Sequence, residues 1–427
     1  MRHRAGSMLL LLAGLIPVAR GDGNGSTAAD LPGDPLAVAQ WVILNDGSLT
    51  CSRTGIDIGV LRAWGITRGS DKVIIAVLDS GVDLDHPDLV GQLWPRGEED
   101  WNFSIPEAKA PADSHGHGTS VAGIACAAAD NGIGLAGIAP GCRLMPLKID
   151  GLAMVQNFIA ALDYLVGFSR NHPEVRIVVN GSLQITDTEE VRKAVRRSHE
   201  AGIVLCFAAG NNGGAVDTPA RYPEAITVGA VGPDGARKRR SGCGGAWASA
   251  HGPEVDLVAP GVFMVTTDMT GASGSVPGDY NLEFGGTSAA APVVAAVAAL
   301  MLSANPGLDP DRVREILEAT AADGDGDPAE DVPGFDEYMG WGRVQAGEAV
   351  ERAAADWRPP VGDVDCQGTA DITDVLALLS WLFALRPALP CTSAADANGD
   401  GKVNIADAVR ILEMLYGSRS AGGGAGF

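Results

Sequence analysis

From Ala289 to Leu302 the chain runs for 14 residues without one polar side chain. A helix over that run has no face to show to water, so other layers of structure must enclose it. It is also shorter than the ~20 apolar residues that cross a bilayer, which makes it a core helix. Enclosing it takes a large domain, and 427 residues, 46% of them apolar, supply one with chain left for a second. Phe284-Gly285-Gly286-Thr287-Ser288 leads into the run, with Pro292 expected in the first helical turn, where a missing N–H is tolerated. Ser288 therefore stands at a helix start, where unpaired backbone N–H groups and the positive dipole end favour negative charge near its oxygen. An N-cap serine is the plain reading of that position, a nucleophile is the other, and the residues upstream decide between them.

Val73-Ile74-Ile75-Ala76-Val77-Leu78 is a short continuous apolar run, the pattern of a strand buried on both faces of a parallel sheet, and Asp79 ends it. Further strand patterns at 143–149, 176–182, 203–208 and 225–231 are interspersed with helical patterns at 154–169 and 188–200, the rhythm of an α/β fold with a doubly wound, mostly parallel sheet. Such sheets place ligands and chemistry at the carboxyl ends of their strands, although an Asp before Ser80-Gly81 also suits a plain turn. Asp113-Ser114-His115-Gly116-His117-Gly118-Thr119 leads into an Ala-rich helix through Ala129, and glycines on either side of His117 allow close approach to its imidazole. His86, His115, His172, His199 and His251 are assigned structural places, His115 standing nearest to an exception. At the end of the 203–208 strand, Asn211 suits a left-handed turn and equally an amide aimed at an oxyanion.

A formal charge of −22 disfavours nucleic acid and anionic membrane surfaces as partners. Met1-Arg2-His3-Arg4, the apolar run 8–19 and the small residues Ala19 and Gly21 fit a cleaved secretory signal over 1–21, followed by a loose leader over 22–34. No later segment is expected to span a membrane. Secretion permits disulfides, yet seven cysteines leave at least one thiol. Cys126 and Cys206 read as buried, and no Cys/His cluster has zinc spacing.

In chain order, Asp79-Ser80-Gly81-Val82, Gly116-His117-Gly118-Thr119, Ala209-Gly210-Asn211 and Gly286-Thr287-Ser288 with Ala290-Ala291-Pro292 resemble the subtilisin-like serine peptidases. His86-Pro87-Asp88-Leu89, Gly137-Ile138-Ala139-Pro140, Tyr222-Pro223, Val258-Ala259-Pro260-Gly261 and Gly340-Trp341-Gly342-Arg343-Val344 extend the likeness, so a peptidase domain is expected over 35–352. The resemblance implies a secreted serine endopeptidase with Ser288 as nucleophile, His117 as its general base and Asp79 orienting that base. Asn211 and the Ser288 backbone N–H would form the oxyanion hole, and catalysis would need no metal. Ser182, Leu183 and Gln184 on one side, with Ala208, Ala209 and Gly210 on the other, would flank an extended polypeptide substrate and leave room for a sizeable apolar side chain. Gln184 stands where the family usually has Gly, and the loop Asp150–Ala153 is shorter than the one that borders the groove in relatives. The stretch from Gly21 to Asp34 is too short for the folding pro-domain that many relatives carry. A catalytically silent scaffold with the subtilisin fold is the alternative, and fluorophosphonate labelling separates the two.

Asp323-Gly324-Asp325-Gly326-Asp327 looks like a calcium loop but continues into Pro328 and has Gly334 where a twelfth-position acid belongs, so it reads as a solvated acidic turn. Past a stiff Trp357-Arg358-Pro359-Pro360 stretch, in a linker expected over 353–361, a repeat begins. Asp363, Asp365, Gln367, Asp371 and Asp374 recur 33 residues later as Asp396, Asn398, Asp400, Asn404 and Asp407. Each set puts oxygen donors at loop positions 1, 3, 5, 9 and 12, with Gly368 or Gly401 at position 6, and apolar helices are expected at 375–385 and 408–416. The pair resembles a dockerin. That resemblance implies a small all-α, EF-hand-like module over 362–417 that binds Ca2+ and docks on a cohesin-like protein, with Cys366 and Cys391 placed for a bridge. The Gly-rich tail 418–427 is expected to be disordered.

Overall fold

The computed structural model describes residues 30–95, 101–104, 108, 110–366, 368–384, 389 and 391–416. The expected signal segment, leader residues 22–29, Gln367 and the tail 418–427 lie outside the described residues.

β1 (Val73–Asp79) is buried at every position. It lies within a six-stranded parallel sheet with β2 (Arg143–Lys148), β3 (Arg176–Gly181), β4 (Val204–Ala208), β5 (Ile226–Val231) and β6 (Leu257–Pro260), in the order β2-β1-β3-β4-β5-β6. Side chains alternate along β1, so Val73, Ile75 and Val77 enter one apolar layer while Ile74, Ala76 and Leu78 enter the other. The first layer is built with α1 (Val60–Trp64), α2 (His117–Cys126), α5 (Thr287–Ala304), α6 (Pro310–Ala319) and α7 (Ala346–Asp356), the second with α3 (Met154–Asn171) and α4 (Glu189–Glu200). Because β2 and β3 lie on opposite sides of β1, the winding reverses there, and the carboxyl end of β1 opens onto a crevice.

α5 is the enclosed helix, with Thr287 and every residue from Ala289 to Leu302 buried. It is longer than expected, 18 residues, and apolar enough by composition to cross a membrane, but 83% of it is covered by the protein itself. Pro292 falls inside it, in the second turn rather than the first. Other boundaries move for local reasons. α2 stops at Cys126, not Ala129, because Ala127 turns extended. α4 starts at Glu189 because the Thr188 hydroxyl accepts the Val191 N–H at 3.2 Å. The end of the leader is not loose, since Asp34 is buried and accepts the N–H groups of Asp130, Asn131 and Gly132. The closing helix runs to Asp356, past the expected boundary at 352, with Ala353 buried in the core. The 323–327 turn is tied down rather than merely solvated: Asp325 pairs with buried Arg343 at 2.7 Å, and Asp327 with Arg239. An antiparallel ribbon of β7 (Met264–Thr267) and β8 (Tyr280–Phe284) leads into α5.

Disulfides join Cys51 to Cys243 and Cys366 to Cys391, and Cys126, Cys142 and Cys206 are buried thiols. In the C-terminal unit α8 (Ile372–Ala384) and α9 (Ile405–Tyr416), each starting three residues earlier than expected, pack around Val364, Val375, Leu378 and Ile411.

Candidate active site

Asp79 ends β1 at the crevice, and His117 is the first residue of α2. His117 Nδ1 lies 2.8 Å from Asp79 Oδ1. An ionised carboxylate only accepts, so Nδ1 carries the hydrogen and the neutral ring keeps its lone pair on Nε2. Burial pulls the His117 pKa down, but the Asp79 charge and hydrogen bond, with the Asp113 charge, outweigh it and leave the value raised. The second glycine of the motif has another use than the one expected of it: a Cβ at Gly118 would collide with the Gly81 carbonyl, so its absence lets α2 press onto the turn after β1. Asp113 braces that turn. It accepts the Ser80 hydroxyl at 2.8 Å, the His115 N–H at 2.9 Å, and the Thr119 N–H and hydroxyl at 3.0 and 2.6 Å. Burial would raise its pKa, yet these donors hold it below the usual carboxylate range. Buried Lys148 donates to the Ser80 carbonyl at 2.6 Å. Neither residue was singled out from the sequence, although Asp113 opens the histidine motif and gave that signal. His115 contributes its N–H and is otherwise exposed.

Gly286, at φ 124° and ψ 167°, caps α5 without a side-chain bond, so Ser288 is not the N-cap and its hydroxyl is not spent on the helix. Pro292 lacks the N–H that would bond the Ser288 carbonyl four residues back. That carbonyl instead accepts the Ser182 hydroxyl at 2.9 Å, tying Ser288 to the end of β3. Ser288 Oγ is turned toward the Ser182 carbonyl at 3.4 Å, and no bond from it to His117 is among the described hydrogen bonds. Contacts of this kind commonly tighten only when substrate binds. Asn211 Oδ1 accepts the Thr287 N–H at 2.9 Å and the Thr287 hydroxyl at 3.1 Å. Because a backbone N–H can only donate, the amide is oriented and Nδ2 is left as the open donor. A Cβ on Gly286 would lie 3.4 Å from that Nδ2 and 3.5 Å from the Ser288 nitrogen, which places both donors around one spot. Phe284 sets its ring edge-on to His117 at 5.6 Å between centroids.

Ser182, Leu183 and Gln184 follow β3, and Ala208 ends the neighbouring β4 with Ala209 and Gly210 just beyond it, Gly181 being paired to Phe207. Ala208 and Ala209 are buried, so this wall is mostly backbone. The Gln184 amide bonds Asp217, a residue that the sequence reasoning passed over because it lies 33 positions away.

In the C-terminal unit Asp363, Asp365 and Asp374 bring donor oxygens within 4.8 Å of one another. Burial, aided by the charges of Asp365 and Asp363 against backbone N–H bonds from Asp371 and Asp365, pushes the Asp374 pKa up to about 6. The two loops share a design. The position-9 N–H groups of Asp371 and Asn404 donate to Asp374 and Asp407 at 2.7 and 2.8 Å. The position-6 N–H groups of Gly368 and Gly401 donate to Asp363 and Asp396 at 2.9 and 2.8 Å. Among the described residues Asp396, Asp400 and Asp407 do not converge as the first three do.

A histidine held by a carboxylate, a serine at a buried helix start and an amide donor beside it thus lie around the crevice of an α/β sheet. Residues 70–342 match the Subtilase family, and the chain belongs to that family of serine endopeptidases. It is 33% identical over 293 residues to the thermophilic serine proteinase of Bacillus sp. (strain AK1), a match covering 67% of this chain and 64% of that one. To the subtilisin of Bacillus pumilus it is 36% identical over 269 residues, covering 61% and 87%. The crystal structure of fervidolysin from Fervidobacterium pennivorans, a keratinolytic enzyme related to subtilisin, is similar with a TM-score of 0.59 at 27% identity, over 77% of this chain and 48% of that one. The chain thus spans less than two-thirds of the thermophilic proteinase, and its C-terminal unit lies beyond the family match.

Proposed function

We propose that this chain is a secreted serine endopeptidase whose triad is Asp79, His117 and Ser288. The observation that carries the reading is the 2.8 Å bond from His117 Nδ1 to Asp79, because it leaves Nε2 as the base. Ser288 Oγ attacks the peptide carbonyl while its proton passes to His117 Nε2, and Asp79 stabilises the imidazolium. The oxyanion is received by Asn211 Nδ2 and the Ser288 N–H. His117 then protonates the amine as the C–N bond breaks, leaving an acyl-enzyme. Water gives a proton to the same nitrogen and attacks the ester, and His117 returns that proton to Ser288 Oγ as the C–O bond breaks and the acid leaves. Ser182–Gln184 and Ala208–Gly210 hold the substrate backbone extended between them. A fluorophosphonate should label Ser288, and Ser288→Ala should abolish the label. A folded protein that takes no label at Ser288 would instead be the silent scaffold.

Residues 362–417 form, in the same proposal, a calcium-dependent dockerin-like module with a cohesin-like protein as partner. Asp363, Asp365, Gln367, Asp371 and Asp374 hold one ion, and Asp396, Asn398, Asp400, Asn404 and Asp407 the other. The crowding of Asp363, Asp365 and Asp374 supports this, since carboxylates so close repel one another until a cation lies between them. Bound Ca2+ supplies that neutralising charge. Calorimetric titration of the full chain with CaCl2 should show two sites that Asp374→Ala and Asp407→Ala remove one at a time, and unchanged titrations would refute the module.

A further inference from the structure

Two residues join the substrate walls from beneath. The Asp217 N–H donates to the Ala209 carbonyl at 3.0 Å, and the Ile185 N–H donates to the Thr218 carbonyl at 2.9 Å. Asp217-Thr218 is therefore the floor between Ser182–Gln184 and Ala208–Gly210. The carboxylate lies against the second wall so closely that a Cβ on Gly210, itself at φ +113°, would collide with Asp217 Oδ2. That oxygen accepts the Gln184 amide and the Asn212 amide, the latter at 3.3 Å. Both partners are neutral. Among the described residues Asp217 has no ion pair, and its Oδ1 takes no hydrogen bond. Burial raises its pKa. A half-buried carboxylate without a counter-charge is costly to keep, and among the described residues none supplies one.

We propose that Asp217 determines specificity, selecting Arg or Lys as the residue on the amino side of the cleaved bond. The cation pairs with the carboxylate at the floor while its methylene stem lies along the Ala208–Gly210 wall. The Gln184 and Asn212 amides hold Oδ2 and leave Oδ1 for the incoming charge. This inference rests on the peptidase activity proposed above, and it replaces the large apolar group implied by the family resemblance. Peptides identical except for Arg, Lys, citrulline or Phe before the scissile bond test it. Citrulline keeps the shape of Arg and removes the charge. With the intact enzyme, kcat/KM for Arg and Lys should exceed that for citrulline and Phe by about 10- to 100-fold. Asp217→Asn should close the gap between Arg and citrulline. Equal or better cleavage after Phe, or a gap that survives Asp217→Asn, overturns the proposal. Should that variant not fold, the Arg and citrulline comparison in the intact enzyme decides alone. Fluorophosphonate labelling of the same preparation separates the failures: labelled enzyme that prefers Phe refutes the pocket, while unlabelled protein that cleaves nothing refutes the activity as well.

Discussion

Residues 30–356 hold β1 between two apolar layers and bury α5 from Ala289 to Leu302, whereas among the described residues of 362–416 the core cluster holds eight buried apolar side chains. The first region has surplus core with which to fix strained features such as Gly286 and the buried Asp79. The second spends scarce structure on holding carboxylates together, and a module so small cannot offset that repulsion by burial. Both carry a disulfide. On the proposed reading, chemistry that needs fixed geometry resides where the core is large, and calcium binding that can order on demand resides where it is small.

The strongest test of that division is catalytic. Ser288→Ala, His117→Ala and the double variant should each lose about 10⁶-fold in kcat, the size known for a subtilisin triad, because groups that act as a unit are not additive. None should alter the calcium response of the C-terminal unit, and stepwise, additive losses would break the assignment. The disulfides come next. Cys51–Cys243 closes a separation of 192 residues and Cys366–Cys391 one of 25, so Cys→Ser at Cys51 should cost about 5 kcal/mol and at Cys366 about 3–4 kcal/mol on chain-entropy grounds. Thermal unfolding should show the smaller loss melting the smaller unit while the body survives the larger one. The opposite pattern would mean that the two regions do not differ in reserve.

Much of the body was legible because buried strands and glycine-flanked motifs leave local signatures. Val73–Asp79 and Thr287–Ser288 could be placed from their neighbours alone. β6, β7 and β8 could not, since two are four residues long and Tyr280–Phe284 is half exposed, which erases any period. The dual use of Pro292 and the meeting of Gln184 with Asp217 depend on contacts across the fold, where sequence spacing carries no information. In the C-terminal unit the loop spacing was plain, but the helix starts were set by capping turns one residue before an apolar position.

Asn211→Ala sharpens the contrast within the body itself. It should lower kcat by about 10²–10³, the size known for the oxyanion Asn of a subtilisin, with KM nearly constant. A rise in KM alone would give the residue a ground-state role. The smallest expected effect is on pH dependence. His117 must be neutral to act as base, and Asp79 raises its pKa, so kcat/KM should climb through a value above the ordinary 6.5 and Asp79→Asn should move that limb downward. Stability runs the other way. The His117–Asp79 pairing contributes fully below pH 6.5 and is lost as pH rises through the raised folded value, an effect that denaturation curves at several pH values would detect. A limb unmoved by Asp79→Asn would contradict the pairing.

Pro292 has a mechanical consequence. With the rung between residues 288 and 292 missing, the Ser288 carbonyl in the first turn of α5 is fastened through Ser182 to the end of β3. On the proposed reading, nucleophile and wall should then move together, and a peptide that displaces the wall should carry Ser288 along, keeping oxygen and carbonyl in register. Amide exchange should show it: on inhibitor binding, Leu183 and Ala289 should slow together while Val297, deep in the same helix, stays as it was.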